Sequence, residues 1–215
     1  MKTILCYGDS LTYGHNPIPG APRHAYEDRW PGALAKALDG KAFVIAEGLG
    51  GRTTVFDDWY ADADRNGSRL LPTLLSSHSP LDLVIIMLGT NDLKPFNGAT
   101  AQEASNGIKR LVQITRGHYA GLNETQPQII IVAPPALGET DHPEMMLHFG
   151  EGRAVEQSLL FPKWYKQRAD ELGVAFFDAS TVAKPDPNDG VHLDAANTRA
   201  IGESLAPLVK RLLSL

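Results

Sequence analysis

Two stretches of this 215-residue chain, Leu83–Leu88 and Ile129–Val132, are apolar at every position. A strand with one face in water alternates apolar and polar residues, so an unbroken apolar run of this length predicts a strand buried on both faces. Strands of that kind belong to parallel sheets sandwiched between helices. The wider segments Leu81–Leu88 and Gln128–Ala133 join Thr3–Tyr7, Ala42–Ala46 and Val174–Phe177 as five expected strands, short and rich in Val, Ile and Phe. Amphipathic segments lie between them. Trp30–Leu38 carries Trp30, Leu34 and Leu38 at four-residue spacing, and Thr100 to Glu103 has the capping-box pattern ahead of Ile108, Leu111, Val112 and Thr115. Glu151–Leu172 and Asp194–Leu213 are the longest expected helices, the last with Asp194 as N-cap. The pattern predicts an α/β fold: a three-layer α/β/α sandwich around a five-stranded, mostly parallel sheet. Residues 1–215 read as one domain.

Charge and cysteine usage narrow the function. With 20 Lys+Arg against 25 Asp+Glu the formal net charge is −5, and Lys109-Arg110 is as long as any basic run becomes. Nucleic acid is therefore not an expected partner. Cys6 is the one cysteine, which excludes an intrachain disulfide and a cysteine-based zinc cluster. His15, His24, His78, His118, His142 and His148 show no ligand spacing, so no metal is expected. The apolar stretch near the N-terminus is four residues long, too short for a signal-peptide core, and no run approaches a membrane span. A cytoplasmic protein without a membrane partner is the expectation.

In a parallel α/β sheet the loops at the carboxyl ends of the strands share one edge, and ligands bind there. Four segments land on that edge. Gly8-Asp9-Ser10-Leu11 follows the first strand and can present a serine hydroxyl at the start of a helix, whose N–H groups and dipole face a developing anion. Glu47–Thr54 follows the second strand with Gly48, Gly50 and Gly51, and its missing third glycine excludes a dinucleotide fingerprint. Gly89-Thr90-Asn91-Asp92 follows the third, where Asn91 can donate toward the Gly51 backbone. Asp189-Gly190-Val191-His192 precedes the last helix, and an Asp three residues before a His can turn back to accept from its imidazole. Singly, each reads as well as a cap, a turn or a solvated loop. Together they supply a nucleophile, a base, an orienter for the base and two oxyanion donors, the inventory of acyl transfer by serine.

On these four blocks the sequence resembles the GDSL, or SGNH, hydrolases, and Glu47–Thr54 and Leu81–Asp92 look like the bacterial arylesterase and acyltransferase branch. The resemblance runs from Thr3 to the final helix. It implies an SGNH, flavodoxin-like fold and ester hydrolysis with no metal or organic cofactor. It assigns Ser10 as nucleophile, His192 as base and Asp189 as its partner; Asp186, three residues before Asp189, is the alternative acid if the loop turns differently. The oxyanion hole would comprise the Ser10 and Gly51 N–H groups and the Asn91 side chain. Apart from the resemblance, Asp9 and Leu11, which flank Ser10, are expected to touch substrate. A small-molecule ester is the expected substrate, acetate-like rather than long-chain because no amphipathic lid helix stands out. A metal-dependent phosphoesterase is the weaker alternative, lacking the Asp-x-His and Gly-Asn-His elements such sites need. A non-catalytic binding module retaining the fold is the other. Trp59, Tyr60, Met145, Met146, Leu147 and Phe149 put apolar surface on long loops, which points to a homo-oligomer.

Overall fold

Five strands form one parallel sheet: β1 (Lys2–Gly8), β2 (Ala42–Gly48), β3 (Leu83–Met87), β4 (Gln128–Ala133) and β5 (Ala175–Asp178), in the spatial order β2-β1-β3-β4-β5. The structure is a computed structural model that describes residues 1–122, 124–149 and 152–215, the Met146 side chain aside. The eight helices that its described residues form are α1 (Ser10–Tyr13), α2 (Trp30–Ala37), α3 (Gly67–His78), α4 (Ala101–Ala120), α5 (Pro143–Phe149), α6 (Arg153–Ser158), α7 (Phe161–Leu172) and α8 (Ala195–Leu213).

The continuous apolar strands are continuous because both faces are covered. Leu5, Tyr7, Val84, Ile86, Ile129 and Ile131 pack with residues of α3, α4 and α7. Their neighbours in sequence, Ile4, Cys6, Leu83, Ile85, Ile130 and Val132, pack on the other side with residues of α2 and α8. Alternate side chains of each strand thus enter alternate cores. Strand order then fixes the site. β1 lies between β2 and β3, with Gly8 in register with Gly48 on one side and Met87 on the other. The loops leaving β1, β2 and β3 are therefore neighbours at the point where the winding of the sheet reverses, the place where such sheets bind ligands.

The structure alters three sequence expectations. The segment expected as one helix over Glu151–Leu172 is two, α6 and α7, separated at Leu159 and Leu160. Pro162 is the cause: it lacks the N–H that a continuous helix would donate to Ser158 and its ring would clash with that carbonyl, so it sits in the first turn of α7 rather than continuing α6. Glu151 itself lies outside the described residues. Helix α3 was not anticipated, since Pro72 sits inside it and Ser76-Ser77 weaken its pattern; its Asn66 cap accepts from the Ser68 N–H. The apolar residues expected on long loops divide, and Met145, Leu147 and Phe149 lie instead in α5, a helix the sequence pattern did not suggest. Phe149 is buried and Met145 packs on the core, whereas Trp59, Tyr60 and Leu147 are more than four-fifths exposed. Met146 falls outside the described side chains. None of the described helices is long and apolar enough to cross a membrane.

Candidate active site

The chain leaves β1 at Gly8 and turns at once into α1, so Ser10 is the first helical residue and is half-buried. Asp9 caps that turn by accepting from the Leu11 N–H at 3.0 Å. Helix α1 is a single turn, so the expected helix dipole is small, and what it offers is the local N–H of Ser10. That N–H finds no acceptor among the described residues, and neither does that of Gly51. Gly51 adopts φ +79°, which L side chains avoid, and a Cβ there would press on the Arg65 side chain.

His192 reaches this point from the far end of the chain. Its Nε2 lies 3.0 Å from Ser10 Oγ, and its Nδ1 lies 2.6 Å from Asp189 Oδ2. A carboxylate only accepts, so the Nδ1 nitrogen carries the hydrogen. In the neutral ring Nε2 is then the acceptor, aimed at the serine hydroxyl. Asp189 Oδ1 meanwhile accepts from the N–H groups of Val191 at 2.9 Å and His192 at 2.8 Å. Burial alone would raise the Asp189 pKa, but the His192 contacts and the two backbone N–H groups overcome it and hold the carboxyl below its usual range. Asp186 is engaged elsewhere: its carboxylate accepts from the backbone and side chain of Asn188 at 2.9 and 2.7 Å. The relay Asp189–His192–Ser10 can move the serine proton onto the imidazole as the oxygen attacks an electrophilic carbon.

The other blocks are tied together behind this relay. Asn91 donates through Nδ2 to the Arg52 carbonyl at 3.2 Å and more loosely to Asp9 Oδ2 at 3.4 Å, placing its amide beside the Gly51 loop. Arg52 donates through Nη1 to the carbonyls of Gly8 at 2.8 Å and Glu47, joining the ends of β1 and β2. Asp92 accepts from the Thr54 N–H at 2.8 Å and from its hydroxyl, fastening the third block to the second. Asp9 and Asp92 are fully buried carboxyls, pushed up to about 6 and about 7 by loss of hydration, with Asp9 adding its own charge against Asp92.

The expected substrate contacts do not fit this burial. Asp9 is 0% and Leu11 4% exposed, the first serving as a cap and the second lying in the core beneath β1. Two residues without any ligand spacing do reach the site: the His15 ring packs on the His192 ring, and His24 bonds to the Leu193 carbonyl. The closeness of His15 to Ser10 in sequence made it a candidate for the pocket wall, but nothing in the sequence pointed to either contact, since both join the first thirty residues to the last thirty.

Comparison with known proteins places the chain in a family. Residues 6–200 match the GDSL-like lipase/acylhydrolase family. An arylesterase of Vibrio mimicus is 28% identical across 98% of this chain and 90% of its own length. Among solved structures, a carbohydrate acetylesterase family member from Sinorhizobium meliloti is 53% identical with a TM-score of 0.95, each chain covered in full. The aryl esterase of M. smegmatis is 40% identical with a TM-score of 0.93, over 99% of this chain and 100% of that one. The same fold, the family match over residues 6–200 and that level of identity over essentially the whole length leave one assignment: this chain belongs to the GDSL-like lipase/acylhydrolase family and is a carboxylic-ester hydrolase.

Proposed function

We propose that the protein hydrolyses short-chain carboxylic esters through a covalent acyl-enzyme on Ser10, with His192 as general base and acid and Asp189 as its orienter. The observation that carries this reading is the unbroken relay, 3.0 Å from Ser10 Oγ to His192 Nε2 and 2.6 Å from His192 Nδ1 to Asp189 Oδ2. In acylation Ser10 Oγ bonds to the ester carbonyl carbon while its proton passes to Nε2. Asp189 stabilises the resulting imidazolium and keeps its own charge. The carbonyl π pair moves onto oxygen, which is met by the Ser10 and Gly51 N–H groups and by Asn91, whose 3.4 Å contact with Asp9 is the weaker bond to give up. The C–O bond to the alcohol then breaks, and the imidazolium protonates the departing oxygen. Water repeats the sequence in reverse to free the acid; a second alcohol in its place gives acyl transfer.

The relatives support short acyl groups: one is described as a carbohydrate acetylesterase and others as aryl esterases, so acetyl-type esters of phenols or sugars are the proposed class. The test is turnover of a short aryl ester. Ser10→Ala and His192→Ala lower kcat by on the order of 10⁶ while the melting curve stays cooperative. Undiminished turnover by folded Ser10→Ala would overturn the reading.

A further inference from the structure

The loop between α1 and α2 touches His192 and its neighbour at two separate points. His15 packs its ring against that of His192, with centroids 4.2 Å apart and planes tilted by 43°. Nine residues later in the described loop, His24 is buried and its Nε2 lies 2.9 Å from the carbonyl of Leu193. A carbonyl only accepts, so His24 presents a hydrogen on Nε2 and donates it. The same loop is fastened to Ser10: the N–H groups of Gly14 and His15 both donate to the Ser10 carbonyl, at 2.9 and 3.0 Å. His24 closes the loop on itself by donating its backbone N–H to the Gly14 carbonyl at 3.0 Å, and Arg29 Nε donates to the His24 carbonyl at 2.8 Å.

We propose that this loop is a two-point brace for the general base, with His15 and His24 as positioning residues that hold the His192 imidazole in line with Ser10. The inference rests on His192 acting as the base proposed above. Asp189 holds the ring at Nδ1, but the other contact, at Nε2, is with the Ser10 hydroxyl that must leave it during the reaction, so the ring needs a further restraint to stay in line. A ring packed on the imidazole face supplies that restraint, and the His24 bond to Leu193 holds the backbone from which His192 projects. Because both restraints return to Ser10 through Gly14 and His15, movement of the loop carries base and serine together. Partial loss of hydration on the side facing His192, then the like charge of His192, holds His15 below the usual histidine pKa, with Asp189 opposing and His24 adding to the shift. The lowered His15 pKa favours the uncharged form of that ring, which can pack beside His192 without adding a second positive charge to the site. A misplacement near 1 Å of a reacting group costs up to about 10²-fold in rate, so a brace of this kind is worth part of that factor.

His15 is exposed, which makes it replaceable without disturbing the core. The experiment compares His15→Ala, His15→Phe and Ser10→Ala on a short aryl ester, with active enzyme counted by organophosphonate titration. Positioning predicts that His15→Ala loses about ten-fold in kcat at unchanged KM. It predicts that His15→Phe, which restores a flat ring, recovers to within about two-fold of the parent. As a second arm, His24→Gln keeps a donor toward Leu193 and retains kcat, whereas His24→Leu loses it. A His15→Ala variant with native kcat overturns the brace, as does a rise in KM alone, which marks a substrate contact, or an equal loss in His15→Phe. Hydrolysis that survives Ser10→Ala sinks the triad itself, and is read independently of the histidine variants.

Discussion

At the scale of single residues, the four site blocks were legible because each lies directly after a strand or before a helix cap, where chain direction is set by the sheet. Ser10, Gly51, Asn91 and the Asp189–His192 pair could be brought to one rim from spacing alone. The choice between Asp189 and Asp186 could not, because both are within a loop's reach of His192; only the turn at Gly190 decides which carboxylate meets Nδ1. The geometry makes unequal predictions for the two. Asp189→Asn loses the orienting acceptor and is expected to cost about 10⁴-fold in kcat. Asp186→Asn, which disturbs a bond to Asn188, is expected near the parent rate, and steady-state kinetics on both variants checks the pair. Asn91→Ala, which removes one oxyanion donor of three, is expected to cost about 10²–10³-fold, leaving measurable turnover. Asp9 and Leu11 were misread for an instructive reason: adjacency to a serine says nothing about which way a side chain points when the residue is a cap or lies over a core.

At the scale of elements, unbroken apolar runs made β3 and β4 readable, and the capping box made α4 readable, for Thr100 and Glu103 do cap each other. Helix α3 was hidden because Gly67, Pro72 and two serines disfavour a helix locally, and it is packing of Leu71 and Leu75 into the core that carries it. The loop that bears the acid and base is held from the side by the segment after β4. Gly138 donates to the Gly190 carbonyl at 2.8 Å, and Gly190 sits at φ +68° with the Gly138 carbonyl 2.5 Å from where a Cβ would be. Gly190→Ala is therefore expected to cost at least about 1–2 kcal/mol in left-handed strain. The clash adds to that, and the melting temperature should fall by about 3–8 °C. Because the same turn aims Asp189, kcat should fall with it. Thermal melts and kinetics of this variant decide the matter; native values in both would contradict the assigned role of the turn.

At the scale of the whole molecule, the site is the seam between two cores. The ends of β1, β2 and β3 converge there, and buried polar side chains rather than apolar packing knit them together. That construction costs stability in a pH-dependent way. Folding raises the Asp92 carboxyl from 3.8 to about 7, so between those values the native state keeps a proton that the unfolded chain has released. Stability from this group is greatest at the acid end, declines as pH rises through that window, and is level above it. Asp92→Asn cannot titrate, so the parent's melting temperature relative to that of the variant should fall as pH rises from about 4 to about 7. A difference between the two that does not vary with pH would show that the carboxyl is not buried as described.

Everything in this account turns on the hydroxyl of Ser10 being activated by the imidazole that arrives from the other end of the chain. Reaction with an organophosphonate ester, followed by peptide mapping, reads that directly. One phosphonyl group per chain is expected, on the peptide containing Ser10, absent from Ser10→Ala and greatly slowed in His192→Ala. Labelling at another residue, or no labelling of a protein that turns over esters, would contradict it.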